Sequence, residues 1–184
     1  MSTLKNLLEK DVYDGFERAI KDRETIGQHV DVETMRRHLP PEVWRSYCKF
    51  SIARNPWDRA VSYYHWLRVQ GFAHPAVGLA KATTFSGFLA HPQTRTSFRL
   101  WPAAAYLRDR SGTDRCQLYA RVEHLDDDLA PLEAHLGFRL TPLPRANESA
   151  RARDWRGYYT DADAAVVADV CGPDIARFGY RFDP

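Results

Sequence analysis

The residues whose types and spacing could do chemistry lie in "CKFSIARNPWDRAVSYYHWLR", residues 48 to 68. An apolar run closes on Arg54, the chain turns through Asn55-Pro56, and a helical pattern follows that carries Arg59 and Ser62. Arginine offers a planar fork of donors that matches a phosphate, and it stays charged throughout the physiological range. In an α/β sheet, ligands gather beyond the carboxyl ends of the strands, which is where Arg54 stands. The helix start adds unsatisfied backbone N–H groups and the positive end of a dipole. Ser62 follows Arg54 by about two helical turns, so its hydroxyl can donate to the same anion, with Arg59 on roughly the same side. The same spacing also describes an arginine paired with Asp58 beside a serine that merely packs.

The elements that must position these residues are legible in outline. "CKFSIA" has the pattern of a buried strand with Phe50 and Ile52 on one face and Ala53 closing it. "NPWDRAVSYYHWLRVQG" carries a capping Asn55, Pro56 at the first helical position, Asp58 three residues after the cap, and Gly71 as a stop. Residues 4 to 20 place Leu4, Leu7, Leu8, Val12, Phe16, Ala19 and Ile20 at helical spacing. "DVETMRRHL" and "PPEVWRSY" read as two short helices, with Asp31 as a cap and Pro41 in a first turn. Between residues 72 and 112 the pattern supports a helix over "TTFSGFLA", a short one over "PAAAYL" and a polar turn around Gly112. "CQLYARV" is the second strand. "HLDDDLAPLEAHLGF" is a helix with Asp126 to Asp128 at its positive end and Gly137 stopping it. A Pro- and Arg-rich loop leads into a final helix opened by Thr160, with Asp163 three residues later, and interrupted at Gly172-Pro173. Few strands among many helices give an α/β class with a parallel sheet.

Composition narrows the partners. The 184 residues form one domain of ordinary size, 44% hydrophobic and 27% charged, as in soluble globular proteins. Twenty-six basic side chains against 24 acidic ones leave a net charge of +2, which does not suit a nucleic-acid binder. Any anion must therefore be held by a few placed arginines. Cys48, Cys116 and Cys171 are far apart and form no CxxC pair, so they read as free thiols rather than a disulfide framework or a zinc site. The sequence contains no membrane-length apolar segment and no signal peptide, and the expected setting is cytoplasmic.

Taken whole, "RNPWDRAVSYY" resembles the 3′-phosphate-binding segment of sulfotransferases that use 3′-phosphoadenosine 5′-phosphosulfate, in the branch of carbohydrate and heparan-type enzymes. The likeness continues through "SGTDRCQLYARVEHLDDDLAPLEAHLGF", similar to a strand running into an Arg-x-Glu-x-Leu element and an acidic helix. It ends in "NESARARDWRGYYTDADAAVVADVCGPDIARFGYRF", similar to the closing helix and its Phe-Gly-Tyr-x-Phe terminus. The resemblance implies a P-loop-NTPase-like fold, a parallel sheet flanked by helices, and metal-free in-line sulfuryl transfer to an acceptor hydroxyl on a carbohydrate or another hydroxylated metabolite. It makes Arg54 and Ser62 the grip on the 3′-phosphate and Arg59 a recurrent family arginine. Glu123 becomes the organiser of the sheet end. Arg151 and Arg153 fall in the loop that closes over the nucleotide, where solvated arginines would look the same.

One half of the family pattern is missing. The family's 5′-phosphosulfate loop follows a first strand and supplies a lysine, backbone N–H groups and a hydroxyl to stabilise charge on the leaving phosphate. "MSTLKNLLEK" resembles the tail of that loop, which makes Ser2 and Thr3 its phosphate-contacting hydroxyls. The implied chain is N-terminally truncated, through a misassigned start codon or gene decay, with the first strand and the lysine upstream of Met1. Loss of that strand would leave unpaired edges and favour self-association. The acceptor needs a base, and "IGQHV" resembles a Gly-His-Val segment that carries one, which points to His29 among the seven histidines. The aromatics Trp57, Tyr63, Tyr64 and Trp66 could stack a base or sugar, but helical spacing makes them core. Two further readings remain: an inactive remnant that at most binds the nucleotide, and an unrelated P-loop kinase-like enzyme, which leaves "RNPWDRAVS" unexplained.

Overall fold

The computed structural model describes residues 32–140, 142, 151–152 and 154–183. The helix expected over residues 4 to 20 and the Asp31 cap lie outside them, as do Ser2, Thr3, His29 and Arg153. The described chain is α/β and mostly helical, with a small two-stranded parallel sheet.

In order, the elements are α1 (Val32–His38), α2 (Pro41–Ser46), β1 (Phe50–Ala53), α3 (Pro56–Arg68), α4 (Pro75–Ala82), α5 (Phe85–Ala90) and α6 (Pro92–Leu100). A 3₁₀ turn over Ala103–Leu107 leads to β2 (Leu118–Arg121), then α7 (Leu125–Asp128) and α8 (Ala130–Leu136). A second 3₁₀ turn, Arg156–Tyr158, precedes α9 (Asp161–Val170) and α10 (Gly172–Phe178).

Contacts divide the chain into two compact units, and the division crosses both strands. One unit takes residues up to Ser51 together with Ala104–Tyr119. In it Asp109 organises the turn around Gly112, accepting from Ser111, Thr113 and Arg115. Gly112 adopts φ 81°, which a side chain would resist. Lys49 donates its backbone N–H to the Gln117 side chain, and its carbonyl receives the Gln117 N–H.

The other unit, Ile52–Ala103 with Ala120–Pro184, holds a continuous apolar core. Trp57, Ala60, Val61, Tyr64 and Leu67 of α3 bury against Phe85, Phe88 and Leu89 of α5, Val77 and Ala80 of α4, and Val167 and Val170 of α9. Trp57 and Tyr64 are thus core, each with its polar tip bonded to a carbonyl: Trp57 Nε1 to Ala164 and Tyr64 Oη to Thr83. The terminal aromatic cluster closes the same core, Phe182 lying edge-on against Trp57, Trp155 and Tyr159. Trp66, by contrast, is exposed.

Several expectations need correction. The strand after Cys48 is not buried: Phe50 and Ile52 are 42% and 45% exposed, and only Ala53 is enclosed. Phe50 and Ile52 share one face of β1, and that face stays open while the face carrying Ala53 is covered. Cys48 and Cys116 are half-buried, and Cys171 alone is buried. Both α4 and α6 escape the usual start signals because each is capped by histidine. His74 Nδ1 accepts the Ala76 N–H and His91 Nδ1 accepts the Gln93 N–H, with proline next in each case. The acidic helix is broken into a 3₁₀ turn, α7 and α8, although Gly137 does end it in a left-handed cap with φ 75°. Thr160 and Asp163 close the expected capping box on α9.

Candidate functional site

The strand–helix junction brings Arg54 and Ser62 together: Arg54 Nη1 donates to Ser62 Oγ at 3.1 Å. The same guanidinium pairs with Asp58, Nε and Nη2 each 2.7 Å from Oδ2. The pairing of Arg54 with Asp58 that spacing left open is therefore present, and Ser62 is hydrogen-bonded to the same guanidinium. Positions 58 and 62 share a helix face, and Arg54 reaches over both from the end of β1.

Backbone donors at this junction are already used. Asn55 takes the N–H groups of Trp57 and Asp58 with its Oδ1, at 3.0 and 3.4 Å, Pro56 has none, and Arg59 N–H returns to the Asn55 carbonyl. The Asn55 N–H itself is held by Glu123 Oε1 at 2.7 Å. The expected anion grip by the helix N-terminus is thus closed off by its own cap, and recognition here falls to side chains.

Arg151 joins from far along the chain. Its Nη2 lies 2.6 Å from Asp58 Oδ1, so the Asp58 carboxylate holds one arginine on each oxygen. Arg59 points elsewhere: it donates to the Trp101 carbonyl at 2.9 Å, sits 3.5 Å from Asp174 and covers the Phe98 ring. The expectation that it shares a side with Ser62 fails because buried Asp174 draws it away. Burial pushes the Asp174 carboxyl up despite the bond from the Ala103 N–H and the nearby Arg59. Glu123 ties the ends together, taking Asn55 N–H on one oxygen and Tyr180 Oη on the other.

Sequence reasoning named Asp58 only as a partner for Arg54 and did not place His65 on this face. Asp58 enters it as the shared partner of two arginines. His65, three positions beyond Ser62, has its Nε2 buried without a hydrogen-bond partner among the described residues, and the same holds for Arg151 Nη1. Burial first, then the charges of Arg151 and Arg68, push the His65 imidazole down, which keeps it neutral near pH 7. The helical spacing 58, 62, 65 was the signal for this face; Arg151 had no such local signal.

Among the described residues no group of three His, Cys, Asp or Glu is placed to share a metal ion. Among them, too, no helix is long and apolar enough to cross a membrane. The chain matches no protein-family model, and no curated protein or solved structure resembles it significantly.

Proposed function

We propose that the chain is a sulfotransferase that takes its sulfuryl group from 3′-phosphoadenosine 5′-phosphosulfate and passes it to an acceptor hydroxyl, on a carbohydrate or a related metabolite. The observation that carries this is the Arg54–Ser62 contact at the end of β1. Both side chains are those that the sequence resemblance assigns to the 3′-phosphate. Arg151 Nη1, a buried donor without a partner among the described residues, fits a phosphate-bearing ligand beside them.

On this reading Arg54, Ser62 and Arg151 hold the 3′-phosphate and orient the nucleotide. The nucleotide supplies the activated sulfuryl group when bound. Ser2, Thr3 and His29, the hydroxyls and base that the resemblance assigns to the transfer, belong to the segment outside the described residues. The P-loop-like arrangement around the two strands is part of the same proposal, and so is a cytoplasmic setting.

Calorimetric titration with adenosine 3′,5′-bisphosphate tests it. Charge-assisted hydrogen bonds contribute about 1.5 to 3 kcal/mol, so Arg54→Ala should weaken binding by about 10- to 140-fold. A folded wild-type chain that does not bind the bisphosphate would refute the proposal. Saturable binding without transfer from the phosphosulfate to any hydroxyl acceptor would instead identify an inactive binder.

A further inference from the structure

Asp58 is an unusual resident for a face meant to hold an anion. Its carboxylate is 14% exposed, and each oxygen takes a guanidinium from a different part of the chain. Arg54 comes from the end of β1, and Arg151, 11% exposed, comes from the segment before α9, 93 residues beyond Asp58. Neither arginine spends its whole fork on the aspartate. Arg54 keeps Nη1 for Ser62 Oγ. Arg151 Nη1 is buried and has no hydrogen-bond partner among the described residues. Leaving a charged donor buried and unpaired is costly, and such a group calls for a partner such as a water, an ion or a ligand atom.

The charge count agrees. Two arginines against one aspartate leave this face positive by one, a sign suited to an anion. Asp58 offsets the repulsion that two adjacent guanidiniums would otherwise suffer, and it fixes the rotamer of each. His65 Nε2, one turn beyond Ser62, is a second buried polar atom on the same side without a partner among the described residues.

We propose that Asp58 is a positioning residue that clamps Arg54 and Arg151 into one anion seat, so that Arg54 Nη1, Ser62 Oγ and Arg151 Nη1 act together on a single phosphate. The ligand's identity as an adenosine 3′,5′-bisphosphate, with its 3′-phosphate in this seat and its 5′-phosphate outside it, rests on the sulfotransferase reading; the clamp itself needs only a phosphate small enough or so placed as to reach all three donors. Asp58 does not touch the ligand. Its effect passes through the two arginines.

The full chain is titrated with adenosine 3′,5′-bisphosphate, adenosine 5′-phosphate and inorganic phosphate, beside Asp58→Asn and Asp58→Glu. Asp58→Asn should lower affinity for the bisphosphate and for phosphate by about tenfold or more, while affinity for the 5′-monophosphate, which lacks the second phosphate, stays within about twofold. Asp58→Glu should recover part of the loss, which a general loss of packing would not allow. Equal weakening of both nucleotides, or unchanged binding of all three ligands, overturns the clamp. Should Asp58→Asn not fold, Arg151→Gln replaces it. The same selective loss is then expected, and its absence overturns the proposal. Asp58-dependent binding of inorganic phosphate without any nucleotide binding would leave the clamp standing and remove the sulfotransferase reading. No phosphate binding by the folded wild-type chain removes both.

Discussion

At the scale of single residues, the junction shows how a side chain's role depends on which of its donors are already spent. Arg54 satisfies Asp58 with Nε and Nη2 and still brings Nη1 to Ser62. Arg59, five positions later in the same sequence motif, is consumed by Asp174 and the Trp101 carbonyl. Sequence order could not separate these two arginines, because their partners lie 4 residues away in one case and 42 or more in the other. His65 gives a residue-scale prediction about pH. Its folded imidazole is pushed below its ordinary value, chiefly by burial, so the unfolded chain binds the proton more readily. The His65 contribution is therefore complete above the unfolded value of about 6.5 and is lost as pH falls below it. Denaturant unfolding at pH 7.5 and pH 5 should show wild type losing more stability on acidification than His65→Gln does. Equal losses would mean that the ring is not burdened by its surroundings.

At the scale of elements, α3 does two jobs with two faces. Trp57, Ala60, Val61, Tyr64 and Leu67 enter the core, while Asp58, Ser62 and His65 line the other side. Its start is fixed by Asn55, whose side chain caps the first turn and donates to the Arg181 carbonyl. Asn55→Ala should cost about 1 to 2 kcal/mol of stability, read as a lowered thermal midpoint. The capping pattern here was legible, since Asn-Pro followed by an apolar period is a strong start signal. The starts of α4 and α6 were not, because a histidine side chain accepting a backbone N–H falls outside the residues usually read as caps. The exposure of Phe50 and Ile52 was illegible for a different reason. A four-residue run looks the same whether one of its faces or both will be covered.

At the scale of the molecule, the described residues of the two units carry very different shares of the apolar core. The continuous cluster runs through α3, α4, α5, α6, α9 and the terminal aromatics, all within one unit. Amide exchange should follow that distribution. Val61, Leu67 and Val167 should be among the slowest, and amides of α1 and α2 should exchange by smaller openings. Uniform protection across both units would contradict it.

What the sequence determined by itself was local: the class, the capped starts of α3 and α9, the left-handed stop at Gly137, and the spacing that lets Arg54 pair with Asp58 beside Ser62, whereas Gly71, read as the stop of α3, lies beyond a helix that ends at Arg68. These depend on interactions within a few residues, whose geometry a repeating backbone fixes. Only the tertiary structure decided that Arg151 meets Asp58, that Glu123 seals the Asn55 N–H, and that Asp174 captures Arg59. Each of these joins residues more than 60 positions apart. Such pairs form because burying an apolar core brings distant polar groups together and leaves them to satisfy one another, and no local pattern encodes which partner each will find.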